Sequence, residues 1–189
     1  MFNRCSYSKN SYIYLMTAMF FLIAGLASAS TLKEDDYVQL SSDFQHKEIT
    51  EFARLEDFDS TDDFQAYIDD YVQLCLDRTG GNSSSIPCFV GYKLWDRELN
   101  HYYQKLRALV SSEERVSLLD SQRLWIQDRD RTITLNSALL DWRYENVNGT
   151  MYYAMRAGDA ADAIEPMVKQ RALLLQYWVD LKMFGQYRY

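Results

Sequence analysis

The sequence predicts an all-α protein: an antiparallel bundle of about four helices, with one disulfide joining helix 1 to helix 2. Three observations carry this expectation. Beyond residue 60, apolar residues recur at intervals of three and four, and no stretch alternates as a strand would. Capping residues stand at the starts of the patterned segments, with Gly or Asn turns at their ends. Two cysteines, Cys75 and Cys88, flank one of those turns.

The chain opens with an address rather than with fold. Arg4 and Lys9 precede an apolar run from Tyr14 to Leu26, and Ala27-Ser28-Ala29 offers the small residues that signal peptidase reads. Residues 1–29 therefore read as a Sec-type signal peptide, and the mature protein as periplasmic or secreted. An uncleaved anchor is the alternative, although the run is short of the ~20 residues a span needs. No Cys follows the small residues, so no lipid anchor is indicated, and no later segment could span a bilayer. Cys5 would leave with the signal. Export to an oxidising compartment then favours a Cys75–Cys88 bridge over two free thiols. The turn Gly80-Gly81-Asn82-Ser83-Ser84-Ser85 gives that loop freedom to close.

Residues 30–60 form an acidic, poorly patterned lead-in in which 48–55 offers a short helix. Helix 1 starts at Thr61, with Asp62 and Asp63 suited to an N-terminus. It carries Phe64, Tyr67, Ile68, Tyr71 and Cys75 on one face and ends at Gly80-Gly81. Ser85 and Pro87 open helix 2, which runs to about Val110. Its stripe of Cys88, Tyr92, Trp95, Leu99, Tyr102, Leu106 and Leu109 reads as a bundle seam. Ser111 and Glu114 form a capping box for helix 3, which reaches about Tyr144. Its stripe mixes Leu118, Trp125, Ile133 and Leu140 with Gln122, Arg129 and Asn136. A guanidinium on such a face needs a partner. Asn146 to Gly149 is a turn, and 150–157 a short helix that Gly158-Asp159 breaks. The last helix runs from about Ala160 to Phe184, with Ile164, Val168, Arg171, Leu174 or Leu175, and Trp178 inward. Pro166 either marks its true start or kinks it.

Charge narrows the partners. The chain has a net charge of −7. Residues 34–77 hold 14 acidic side chains against Lys47 and Arg54 alone. Such a chain repels nucleic acid and anionic membrane surfaces and attracts basic partners. The segment is either a solvated stretch or a docking face; on the second reading Glu56, Asp57, Asp59, Asp62, Asp63, Asp69 and Asp70 face the partner. His46 and His101 are the two histidines, and neither has a second ligand at metal spacing. No nucleophile elbow and no phosphate loop is present. No cofactor, metal or catalytic residue is expected, and an enzyme is disfavoured.

One set of motifs is more specific. The run Leu94-Trp95-Asp96-Arg97-Glu98-Leu99-Asn100-His101-Tyr102-Tyr103, then Gln122-x-x-Trp125 with Arg129-Asp130, then Gln170-Arg171, resembles the lysozyme inhibitor LprI family of exported bacterial domains. The resemblance covers about residues 70–178 and frames a domain from 61 to 184. It implies a helical, non-enzymatic binding protein that occludes a basic partner, with a lysozyme as the first candidate. The alternatives are an interaction or immunity-type protein for another toxin or envelope complex and, least favoured, a cell-wall hydrolase. It also implies a structural network of Trp95, Asp96, Asn100, Tyr103, Gln122, Trp125, Arg129, Asp130 and Arg171. Within it, Arg129 is expected to bond Asp96, with Asn100 or Gln122 completing the set. Ile133 and Ala163 stand where relatives often carry a second cysteine pair, and should meet in the core.

Overall fold

The computed structural model describes residues 44–185. The expected signal peptide and the first part of the lead-in lie outside the described residues. Those described are helical and irregular, without strands. They comprise α1 (Thr61–Thr79), α2 (Gly91–Leu109), α3 (Ser112–Arg143) and α4 (Thr150–Phe184), with short 3-10 turns at Ile49–Glu51, Leu55–Asp57 and Ser83–Cys88. No described helix is long and apolar enough to cross a membrane.

Local chemistry explains the boundaries. The Ser60 side chain accepts from the Asp63 amide and caps α1, one residue before the expected Thr61. Gly80 closes α1 at φ 70°, where a residue with a Cβ would be strained. Ser111 and Glu114 make the reciprocal capping box expected for α3. Helix 2 differs from its expected start. Ser85, Pro87 and Cys88 lie in a 3-10 turn, and the α-helix begins only at Gly91. The Cys75–Cys88 disulfide joins that turn to α1, with 5.6 Å between Cα atoms, inside the range a bridge requires.

The largest departure is α4. It is one helix through Gly158, Asp159 and Pro166, where a break and a second start were expected. Pro166 removes one backbone hydrogen bond, at a cost of about 3 kcal/mol in a helix interior. It lies exposed beside exposed Asp162, so the orphaned carbonyl reaches water. Gly158 packs on Phe89, which would sit 3.1 Å from an added Cβ. Tertiary packing on the 3-10 turn and on α2 thus carries the helix through residues of low propensity. Ile164, Val168, Ala172 and Leu175 are buried and Leu174 is exposed, which settles the register.

Contacts along the chain fix the topology. Lys182 bonds Glu114, Arg171 bonds Gln122, and Arg156 bonds Asp141. The helices α3 and α4 are therefore an antiparallel hairpin in contact along its length. The α2 helix packs against the C-terminal part of α4 in the same direction, from Gly91 beside Glu165 to Val110 near Leu181. Opposite α2, the core closes on α1 through Phe64, which meets Trp95 edge-on at 5.0 Å.

The lead-in is ordered where it is described. Phe52 and Leu55 are buried, and Phe44, Ile49 and Phe58 pack against the same core. Phe52 meets the Tyr71 ring edge-on at 4.7 Å. Two 3-10 turns stand where one short helix was expected. Their apolar residues follow an irregular backbone, so no helical period marks them in the sequence. Ile133 and Ala163 are also corrected: both are exposed, so neither forms the core contact expected of a lost cysteine pair.

Candidate functional site

The motif residues fall into three groups. In the first, Asn100 donates to the carbonyl of Asp96 at 2.8 Å and to its carboxylate at 3.0 Å. Arg129 reaches Asp96 only at 3.9 Å, while it bonds Asp130 at 2.9 and 2.7 Å. The expected Arg129–Asp96 pair is present but long, and it is half-exposed rather than buried. Such a pair contributes at most about 1 kcal/mol. Gln122 does not join it.

In the second group Arg171 is buried and donates to Gln122 Oε1 at 3.0 and 2.9 Å, and to Ser121 Oγ at 3.1 Å. Its guanidinium carbon lies 5.9 Å from the Trp125 ring and 5.6 Å from Trp178. Arg129 stands over the same Trp125 at 5.4 Å. Trp125 therefore links the two polar groups through cation–π contacts. Burial alone pushes the Arg171 pKa down.

In the third group the buried Trp95 indole donates to Gln65 Oε1 at 3.0 Å, and Lys169 donates to the same oxygen at 2.9 Å. The Gln65 amide nitrogen then donates to Asp69 and Glu165, each at 3.0 Å. Burial, followed by the charges of Asp69 and Asp162, raises the Glu165 pKa against the pull of Gln65 and Lys169. The Glu165 carboxylate lies against Gly91, where any side chain would collide with it. Tyr103 is half-buried and packs against the core without joining a group.

Sequence reasoning missed one cluster. Glu98 is wholly buried and accepts from Arg54 at 2.8 and 3.1 Å and from Arg97 at 2.9 Å. Arg97 also donates to the carbonyls of Ile49, Phe52 and Ala53, at 2.8, 2.9 and 2.6 Å. This clasp holds the lead-in on α2. Its signal was available: Glu98 lies one turn beyond Trp95 on the apolar face, and Arg54 is one of two bases in the acidic segment.

The candidate partner-facing acids separate by engagement. Glu56 bonds Lys105 at 2.8 Å, and that bond draws its pKa down. Burial, then the Lys105 and Arg54 charges, depress the nearby His101 pKa against the pull of Glu56 and Glu98. Among the described residues its Nε2 has no hydrogen-bond partner, although Glu56 Oε2 lies 3.5 Å away. Asp57 accepts from the Arg54 amide at 2.7 Å, and Asp63 from the Ser60 hydroxyl at 2.6 Å. Asp59, Asp62 and Asp70 are exposed. On α1 the solvent side carries Asp62, Asp63, Asp69, Asp70 and Asp77, with Arg78 as its base in the last turn.

Two further features bear on chemistry. His46 Nδ1 lies 3.5 Å from Cys75 Sγ, and the ligand atoms of His46, Cys75 and Cys88 fall within 4.8 Å of one another. The two sulfurs are bonded to each other, so this trio is not a ligand set in the oxidised state. An apolar groove of about 570 Å³ lies where the C-terminal ends of α2 and α4 meet the first turns of α3, lined by Leu106, Val110, Leu118, Trp178 and Leu181. Its rim charges, Glu114 and Lys182, pair with each other.

No curated protein matches the chain. No solved structure matches it either. The family model described as lysozyme inhibitor LprI matches residues 89–172, which run from just after the 3-10 turn through α2 and α3 into the second half of α4. The match contains every member of the expected structural network, from Trp95 to Arg171, and stops short of α1. Over these residues the chain is similar to the lysozyme inhibitor LprI family.

Proposed function

We propose that this chain is an exported, non-enzymatic binding protein that inhibits a basic partner, in the first instance a lysozyme, by occluding it. The family match carries the reading. The acidic side of α1 supports it and offers a surface for a cationic partner. Its carboxylates stand with a single guanidinium among them, and such a field raises the on-rate of an oppositely charged protein. A lysozyme cleft is lined by carboxylates that must reach the substrate. Covering that cleft is enough to inhibit, without any bond being made or broken.

The test is binding and inhibition by the purified chain against several lysozyme types, with an Asp62→Lys/Asp69→Lys/Asp70→Lys variant beside it. The reading expects inhibition that weakens at least tenfold in the variant and falls with salt, as screening at ~8 Å requires. Inhibition untouched by the variant would remove α1 from the interface. Absence of any lysozyme binding would remove the reading, and capture from an envelope extract would then identify another basic partner.

A further inference from the structure

The α3 helix buries little of itself. Leu118, Gln122 and Leu140 are its buried residues, while Leu124, Leu135 and Trp142 are 67%, 63% and 77% exposed. A helix that shows apolar side chains to solvent over this length calls for a partner.

The residues on this side are ordered. From Ser117 they step by four and three through half-buried Ser121 and then exposed Leu124, Asp128, Arg131, Leu135, Ala138 and Trp142, the spacing of a coiled-coil seam. That seam is its own complement when reversed. With the helix laid antiparallel on a copy of itself and the two-fold axis between Arg129 and Asp130, Leu124 faces Leu135 and Asp128 faces Arg131. Ser121 faces Ala138, small against small, and Ser117 faces Trp142, small against large. Any regular seam maps onto itself on reversal. What is particular here is that each position then meets a chemically matching one: apolar with apolar, anion with cation, the largest ring with a hydroxymethyl.

The Ser117 end of the seam has somewhere for that ring to go. Ser117 and Ser121 line the apolar groove between α2, α3 and α4. The copy's Trp142, 77% exposed, is delivered to its mouth. We propose that this chain forms a two-fold dimer through α3, in which Trp142 of each copy seats in the groove of the other and Asp128 pairs with Arg131 across the seam. The interface is isologous, so each contact occurs twice. It leaves the acidic side of α1 outside the seam, and it does not depend on which protein the chain inhibits.

The experiment is sedimentation equilibrium on the full chain, expressed in an exporting host and purified as processed there, between about 1 and 100 μM. The expected mass is twice that of the monomer in the upper part of this range. Asp128→Arg sets like charges opposite one another in two places and should weaken the dimer about tenfold. Asp128→Arg/Arg131→Asp restores opposite charges and should recover it. Trp142→Ala should weaken it by at least as much, and should abolish a blue shift of tryptophan emission that grows with concentration in the parent chain. Helicity by circular dichroism confirms that each variant folds. A chain that is monomeric at 100 μM overturns the proposal. So does a dimer that neither Asp128→Arg nor Trp142→Ala weakens, or one that the charge swap fails to restore.

Discussion

Glu98 offers the sharpest test of how the fold is held. Its carboxylate is 1% exposed and accepts three hydrogen bonds, two from Arg54 and one from Arg97. Glu98→Gln keeps the volume and removes the charge. A charge-assisted bond contributes ~1.5–3 kcal/mol and a neutral one ~0.5–1.5, so each loses about 1 kcal/mol. The amide can also accept through only one of its two heavy atoms, so its NH₂ group confronts a guanidinium. Against this, Arg54 is 33% exposed and recovers part of its loss from water. Arg97 keeps its three carbonyls. The sum is about 3 kcal/mol, the lower end of what breaking a buried pair costs. The assay is urea unfolding at pH 7, with limited proteolysis alongside. The midpoint should fall by an amount equal to about 3 kcal/mol, and cleavage should appear first within 44–60, because the clasp is what docks that segment. A loss below ~1 kcal/mol, or a lead-in no more open to protease, would refute the reasoning.

Three other outcomes follow from the same geometry. Gln122→Ala strands the buried Arg171 guanidinium beside Trp125 and Trp178 and should cost ~2–4 kcal/mol in urea unfolding, whereas Arg171→Met/Gln122→Leu removes both polar partners and should cost less than half as much. Glu165 has a folded-state pKa raised above its unfolded value, so the unfolded chain ionises first and this group's contribution to stability falls as pH rises through ~4.3 and the raised value above it. Glu165→Gln should remove that decline, seen as a gap between the two melting-temperature curves that widens from pH 4 to pH 7. Gly91→Ala should displace the Glu165 carboxylate and cost ~1–3 kcal/mol, measured by thermal unfolding.

Where spacing alone decided the structure, the sequence was readable. The seam from Trp95 to Leu106 buries as its period requires, and the Ser111–Glu114 box and the Gly80 stop are local chemistry. The bridge is as expected from two cysteines flanking a free turn. Reading failed where tertiary contact overrode local preference. Gly158 and Pro166 are helix breakers in isolation, yet α4 passes through both because the Phe89 turn and α2 hold it. Phe44, Phe52 and Phe58 had no period to betray their burial, since the segment that carries them is not helical. The motif network was read as one set, but Trp95 binds Gln65 from α1, a residue outside the motif, and Gln122 serves Arg171 rather than Arg129. Helix heights place two residues near each other; they do not say which of several polar neighbours a guanidinium chooses. Of the acidic candidates, Asp57 and Asp63 are spent on turn and cap bonds, which their position as the third residue of a helical turn could have indicated.

Inhibition of a lysozyme by occlusion is read out by turnover measured against the concentration of this chain. Purified chain is titrated into lysozymes of several types at low and at physiological salt, with lysis of a peptidoglycan suspension as the readout. The expected result is one-to-one loss of activity for at least one cationic lysozyme, an affinity that falls as salt rises, and a tenfold or greater loss in the Asp62→Lys/Asp69→Lys/Asp70→Lys variant. Full lysis by every lysozyme at low salt, with inhibitor in tenfold excess, would contradict it.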